Sequence, residues 1–239
     1  MTDDIVVLPC RAVLFDCDGV LVDSDAAVQH AWARWAVRYR FDPAEVTSVV
    51  HGRRSADTVD MLVEPHVRTE ALATIDAYEI EDVDKVTAVP GALELITTMP
   101  PAVWAVVTSG TAPLATARLN AAGLRVPPVL VTADDVENGK PAPDGYLSAA
   151  AALGVRPQVT VVLEDSASGV ESARAAGVAA VVGVGDRALE TDADVVVPDL
   201  RALSWHGTGI AARTGDLLRR AAPEPKTPPS DTCFARSDS

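Results

Sequence analysis

The sequence predicts an α/β fold: a doubly wound parallel sheet core interrupted early by an all-helical insert. Three observations carry that expectation. Short β-branched runs alternate with helical stretches, and these runs are continuously apolar rather than alternating, the pattern of strands covered on both faces. Glycines follow three of the helical stretches where a left-handed C-terminal residue belongs. One block, from Ser24 to about Val86, contains no convincing strand.

The elements follow in chain order. Ala12–Phe15 ("AVLF") is the first buried strand of the expected core. In the insert, Val28, Trp32, Trp35 and Tyr39 recur at helical spacing and form an apolar stripe, read as core packing. Leu72, Ile75 and Tyr78 mark another helix, and "AVPGA" (Ala88–Ala92) marks the return to the core through a Pro-Gly turn. Further strands are expected at Ala102–Val107, Pro128–Thr132, Val159–Leu163 and Val178–Val184. Helices are expected at Ala112–Ala122, Asp144–Leu153 and Ser168–Ala176, closed by Gly123, Gly154 and Gly177. Residues 1–23 and 88–221 therefore form the expected α/β core and 24–87 the helical unit. The Pro-rich polar stretch 222–239 is expected to be disordered.

Composition narrows the function. The chain has 239 residues, 48% of them hydrophobic, enough for a sizeable core. Its formal net charge of -14 argues against nucleic acid and against anionic membrane surfaces. The three cysteines, Cys10, Cys17 and Cys233, form no spacing pattern, which fits a reducing compartment without disulfides. The N-terminal "MTDDIVVLPC" lacks a signal-peptide pattern, and no apolar window is long enough to span a bilayer. A cytoplasmic monomer or weak dimer is expected.

The stretch "VLFDCDGVLVDS" (Val13–Ser24) carries the chemistry. Residues i and i+2 of an extended chain point to one side, so Asp16 and Asp18 converge beyond the strand while Cys17 turns away. Ligands of open α/β sheets bind at the carboxyl ends of strands, and Gly19 allows a tight turn there. Two adjacent carboxylates are tolerated when a cation binds or one stays protonated, and both options suit phosphoryl transfer. Taken alone, the pattern is also that of an Asx-type turn.

Four segments in order decide between these. "DCDGVLVDS", "VVTSG" (Val106–Gly110), "GKPAPDGY" (Gly139–Tyr146) and "VVLEDSASGVESARAAG" (Val161–Gly177) resemble the four motifs of the haloacid dehalogenase superfamily. The resemblance implies a Rossmann-like core with a helical cap and makes Asp16 the nucleophile that becomes an aspartyl-phosphate. It makes Asp18 the acid that protonates the leaving alkoxide and then the base that activates water. Thr108, Ser109 and Lys140 are implied as phosphate-binding residues. Mg²⁺ is the implied cofactor, held by Asp16, by the backbone carbonyl of Asp18, by Asp165 and, directly or through water, by Glu164. Such an oxygen-only set suits a hard dication.

The cap loop "HGRRSADTV" (His51–Val59) resembles those of phosphatases acting on sugar and polyol phosphates. His51, Arg54 and Asp57 are its candidate specificity contacts, and a small phosphorylated metabolite is the expected substrate. The alternative is a hexose-phosphate mutase of the β-phosphoglucomutase type. That group carries a cap histidine where this chain has Val28 and an arginine where it has Ser55; His30 lies nearby but on another helical side. The acidic cluster Asp76, Glu79, Glu81, Asp82 and Asp84 reads as a solvated face, although one carboxylate could touch a hydroxylated substrate.

Overall fold

The structure, a computed structural model, describes residues 5–220; the expected disordered stretch 222–239 lies outside the described residues. Strand β1 (Ile5–Pro9) precedes β2 (Ala12–Asp16), whose five residues are all buried. Strand β3 (Val22–Asp23) leads into helices α1 (Asp25–Tyr39), α2 (Pro43–Thr47), α3 (Ser55–Leu62) and α4 (Arg68–Glu81), and β4 (Thr87–Ala88) leads out. Then come α5 (Ala92–Thr98), β5 (Trp104–Val107), α6 (Ala112–Ala121), β6 (Leu130–Val131), α7 (Asp144–Ala152), β7 (Thr160–Glu164), α8 (Ala167–Ala175) and β8 (Ala180–Val184). The chain continues through β9 (Val195–Val197), β10 (Leu203–Trp205), β11 (Gly209–Arg213) and β12 (Arg219–Arg220).

The main sheet has seven strands in the order β12-β9-β8-β7-β2-β5-β6, parallel except for the β12–β9 pair. Its central strands show why they read as continuous apolar runs: helices cover both faces, and two apolar clusters fill the layers above and below. The chain passes from β2 to β5 and β6 on one side, then crosses back to β7 on the other. The carboxyl end of β2 is therefore a topological switch point, where open α/β sheets form a ligand crevice. Register aligns Asp16 with Val107, and Phe15 with Leu163, so the residues following these strands open onto one rim.

The five expected strands are present, four of them starting one or two residues later, β7 at Thr160 among them. Pro101–Val103 form a 3-10 turn before β5, only Leu130–Val131 pair within Pro128–Thr132, and β8 begins at Ala180. Gly123, Gly154 and Gly177 all take positive φ. The expectation did not include β9 and β12, nor the small antiparallel sheet β1-β11-β10. Those strands are two to five residues long, and "GIAAR" carries little β-branched signal.

The helical segment leaves and rejoins the core through a two-residue ribbon, β3 against β4, pairing Val22 with Ala88 and Asp23 with Thr87. The aromatic stripe packs as read: Trp32 and Trp35 are buried, Trp35 stacks on Phe41 at 5.8 Å, and its Nε1–H donates to the Ala71 carbonyl at 2.9 Å. The acidic cluster is a correction. Glu79 and Asp82 are buried, not solvated. Asp82 is surrounded by His30 (2.7 Å), Lys85 and Arg34 (3.8 Å), which ties His30 to the helical segment's own packing. Glu79 pairs with Arg118 across to α6.

Candidate active site

The site begins where β2 stops. Asp16 ends the strand, Cys17 is wholly buried, and the turn closes as Leu21 and Val22 N–H groups donate to the Cys17 carbonyl at 2.9 and 3.0 Å. Gly19 has φ +83°, and a Cβ there would sit 2.2 Å from Asp165 Oδ2, so glycine lets this loop lie against the acidic residues after β7. Asp16 and Asp18 both line one cleft. Asp18 Oδ1 accepts from Ser24 Oγ at 2.7 Å and pairs with Arg118 at 3.0 Å.

Lys140 lies between Asp16 and Glu164, the latter at 2.5 Å. Glu164, fully buried, accepts from Lys140 and Tyr146 Oη (2.9 Å) on one oxygen, and from Asp165 N, Ser166 N and Ser166 Oγ (2.9–3.1 Å) on the other. It fits only because residue 169 is glycine: a Cβ there would lie 1.7 Å from Glu164 Oε1. Burial alone would push the Glu164 carboxyl up, but Lys140 and these donors hold it below the ordinary carboxylate range. Asp165 is pushed up to about 7 by burial and by Glu164, although Arg187 contacts it at 2.6 Å. Burial raises Asp16 as well, against the pull of Lys140.

Asp16, Glu164 and Asp165 present carboxylate oxygens within 4.8 Å of one another, all buried. An oxygen-only cluster with two members driven toward protonation is the donor set a hard dication would relieve. Asp16 and Asp165 carry fewer competing protein donors than Glu164, whose oxygens are both occupied.

The opposite wall comes from the residues after β5 and from the helical segment. Thr108 Oγ1 accepts from Gly110 N–H at 3.0 Å, and Thr108, Ser109 and Lys140 share a small cavity of about 10 Å³ beside the cleft. Ser109 Oγ and Ser168 Oγ both donate to the Gly52 carbonyl, at 3.1 and 3.3 Å, which docks the loop between α2 and α3 on the core. Gly52 has φ +73°, and its missing side chain makes room for Ser166 and Ser168. The cleft beneath holds about 60 Å³, space for about two waters at liquid density. His51 lines it and is shifted toward the neutral form by burial and by Arg187.

Of the cap-loop candidates, His51 lines the cleft, Arg54 lines the small cavity beside it with Thr108, Ser109 and Lys140, and Asp57 is held by Arg54. Arg54 pairs with Asp57 at 2.8 Å and donates to the Glu137 carbonyl at 3.1 Å, on the seam between helical segment and core. Its neighbour Arg53 lines the cleft instead. The sequence reading missed Arg118, Ser55, Asp25 and Arg187 as cleft residues, and named Glu79 only within an acidic cluster of which one member could touch substrate; all five line the cleft. Two of them left a signal. Ala71, Ile75 and Glu79 form one buried stripe of α4, and Leu114, Ala115, Arg118 and Leu119 one of α6. A charged residue on an otherwise apolar stripe has to find a buried partner, and these two find each other.

A Rossmann-like α/β core, an acidic cluster at its switch point and a helical lid over the cleft define a capped enzyme of the phosphotransfer type. Residues 10–177 match the haloacid dehalogenase-like hydrolase family, and the chain belongs to it. It is 39% identical over 202 residues to Hexitol phosphatase A of Escherichia coli (strain K12), covering 82% of this chain and 94% of that protein. Glycerol-1-phosphate phosphohydrolase 2 of Saccharomyces cerevisiae is 30% identical over 217 residues, covering 84% and 86%. Among solved structures, a hydrolase from Pseudomonas syringae superposes with a TM-score of 0.70 at 26% identity, covering 79% of this chain and 93% of that one. A β-phosphoglucomutase from Clostridium difficile shares the fold at a TM-score of 0.70 and 22% identity, covering 80% and 92%. Among the described residues, no helix is long and apolar enough to cross a membrane.

Proposed function

We propose that this chain is a Mg²⁺-dependent phosphatase that hydrolyses a small sugar or polyol phosphate monoester through an aspartyl-phosphate, acting in the cytoplasm as a monomer or weak dimer. The observation that carries the reading is the placement of Asp16 against Lys140 and the Glu164–Asp165 pair at the switch point. The relatives named for hexitol phosphate and glycerol phosphate hydrolysis supply the substrate class.

In the first half-reaction an Asp16 carboxylate oxygen attacks phosphorus, the phosphorus–oxygen ester bond breaks, and Asp18 gives its proton to the departing alkoxide. In the second, Asp18 takes a proton from water, whose oxygen attacks the aspartyl-phosphate phosphorus. Inorganic phosphate leaves, Asp16 is regenerated and Asp18 is again protonated. Lys140 and the backbone N–H groups after Thr108 steady the phosphoryl oxygens, with the Thr108 and Ser109 hydroxyls beside them. Asp16, Asp165 and the Asp18 carbonyl would hold Mg²⁺, with Glu164 direct or through water; bound there, the ion neutralises charge between nucleophile and phosphate. The lid excludes bulk water from the intermediate.

The mutase alternative lacks support at the position where that group carries its cap histidine. Val28 stands there, lines the cleft and exchanges no proton. The test is phosphate release from a panel of sugar and polyol phosphates, with Mg²⁺ and with chelator. Mg²⁺-dependent release by the natural chain and a loss of about 10⁴-fold or more in Asp16→Asn are expected, as for removal of a covalent nucleophile. A folded protein that releases no phosphate from any ester, or that only isomerises a hexose phosphate, refutes the proposal.

A further inference from the structure

The cleft has a second polar centre that the chemistry above does not use. Arg118 reaches it from α6 with its side chain 5% exposed. One terminal nitrogen meets Asp18 Oδ1 at 3.0 Å and the other meets Glu79 Oε1 at 3.0 Å, while Nε, fully buried, has no hydrogen-bond partner. Glu79 comes from α4 on the lid, also 5% exposed, and its second oxygen accepts from Ser55 Oγ at 3.1 Å. All three residues line the cleft, whose otherwise largely polar lining also includes Val28, Trp32, Val50 and Leu114.

This arrangement is reasonable as recognition. Glu79, a buried carboxylate lining the cleft with one donor on each oxygen, keeps acceptor capacity. A hydroxyl complements it by donating. The arginine that touches Glu79 also touches Asp18, the acid next to the leaving oxygen. A hydroxyl on a carbon close to the ester is thus the group in reach, and the four apolar side chains of the lining accommodate the carbon chain that bears it.

We infer that Glu79, with Arg118 and Ser55, is the specificity element of the cleft: it binds a hydroxyl of the leaving alcohol near the ester and so selects polyol phosphates over plain alkyl phosphates. The inference rests on the phosphatase reading and names its substrate determinant. Arg118 already neutralises Glu79, which distinguishes this centre from an ammonium site.

The experiment compares kcat/KM for three esters of similar size, glycerol phosphate, propyl phosphate and phosphoethanolamine, in the natural protein, Glu79→Gln and Ser55→Ala. The natural protein should prefer glycerol phosphate over propyl phosphate by about 10–150-fold, the range of one hydrogen bond to a charged group. Glu79→Gln should shrink that ratio at least about tenfold, and Ser55→Ala, which disturbs the fold less, about threefold. An equal rate on glycerol and propyl phosphates overturns the inference while leaving the phosphatase reading intact. So does a preference for phosphoethanolamine, or a fall in Glu79→Gln shared equally by all three esters. If the natural protein hydrolyses none of these three but does hydrolyse other sugar or polyol phosphates, the inference is overturned; if it hydrolyses no ester of that wider panel either, the phosphatase reading itself has failed, a result distinct from lost selectivity.

Discussion

Gly169→Ala tests whether the acidic centre is held as rigidly as its contacts imply. In a helix interior alanine is favoured over glycine by about 1 kcal/mol, so α8 taken alone would be stabilised. Against that, the new methyl would lie 1.7 Å from Glu164 Oε1, 1.9 Å from its carboxyl carbon and 2.3 Å from Oε2. Glu164 has nowhere to retreat without releasing some of its five donors: Lys140, Tyr146 Oη, Asp165 N, Ser166 N and Ser166 Oγ. Hydrogen bonds to a charged group contribute about 1.5–3 kcal/mol each. Losing two and gaining the helix preference leaves a net destabilisation of about 2–5 kcal/mol. At about 2–4 °C per kcal/mol for a domain of this size, Tm should fall by about 4–20 °C. Activity should suffer further, because Lys140 would lose the anion that aims it at Asp16; a drop of about 100-fold in kcat/KM is expected. Differential scanning calorimetry and phosphate release read the two effects separately. A variant with unchanged or raised Tm and activity within about twofold of the natural protein would show that Glu164 moves freely, and the account of the site would be wrong.

Two further predictions follow from lid and charge. Gly52→Ala puts a methyl 2.6–2.8 Å from Ser166 and Ser168 at a φ of +73°, so the lid loop should seat less closely and KM should rise about tenfold by steady-state kinetics, roughly the 1–2 kcal/mol of a left-handed residue; an unchanged KM counts against the docking role of that carbonyl. Metal and pH are linked through Asp165, whose carboxyl stands at about 7 in the fold against an ordinary 3.8. A raised carboxyl adds stability that is complete below about pH 4 and is lost as pH rises through about 7. Metal-free protein should therefore melt at lower temperature at pH 8 than at pH 5.5. Mg²⁺, which needs the anion, should raise Tm more at pH 8; thermal shift in chelator and in Mg²⁺ checks both signs, and a larger Mg²⁺ effect at pH 5.5 refutes them. Glu164, shifted the other way, loses its contribution only as pH falls through the region below its ordinary value and leaves this window untouched.

What the sequence made legible was local. Asp16, Asp18, Lys140 and Asp165 each lie at a strand end or in a short loop beside one, and a spacing of a few residues fixes their neighbours. The inner strands were legible for the same reason, since burial on both faces is written into each run separately. Arg118 and Glu79 were not, because their meaning comes from an encounter between α4 and α6, 39 residues apart, that no local pattern encodes. Arg54 shows the converse. Its loop context marked it but not its partners: it lines the small cavity of Thr108, Ser109 and Lys140 while paired with Asp57 and the Glu137 carbonyl, and Arg53 beside it lines the main cleft. Strands β9 to β12 escaped because two to five residues at the sheet margin carry too little pattern to separate from loop.

The charge pattern of the cleft bears on how an acidic protein receives an anionic ester. Three of its cations are each matched by two acids: Lys140 by Asp16 and Glu164, Arg118 by Asp18 and Glu79, Arg187 by Asp165 and Asp25. With Arg53, which also lines the cleft, four cations face these six carboxylates, inside a chain whose net charge is -14. A phosphate dianion entering that field meets repulsion first from the carboxylate that has to attack it. Burial first, and the neighbouring carboxylates second, push Asp16 and Asp165 toward protonation. Protonation, however, disables the nucleophile. In the proposed mechanism a dication held by Asp16, Glu164 and Asp165 would offset these carboxylates without that cost, and would keep Asp16 ionised. On this reasoning the proposed metal dependence would follow from the charges around the cleft, and Asp16→Asn should weaken Mg²⁺ binding as well as abolish turnover; unchanged Mg²⁺ affinity by isothermal titration refutes it.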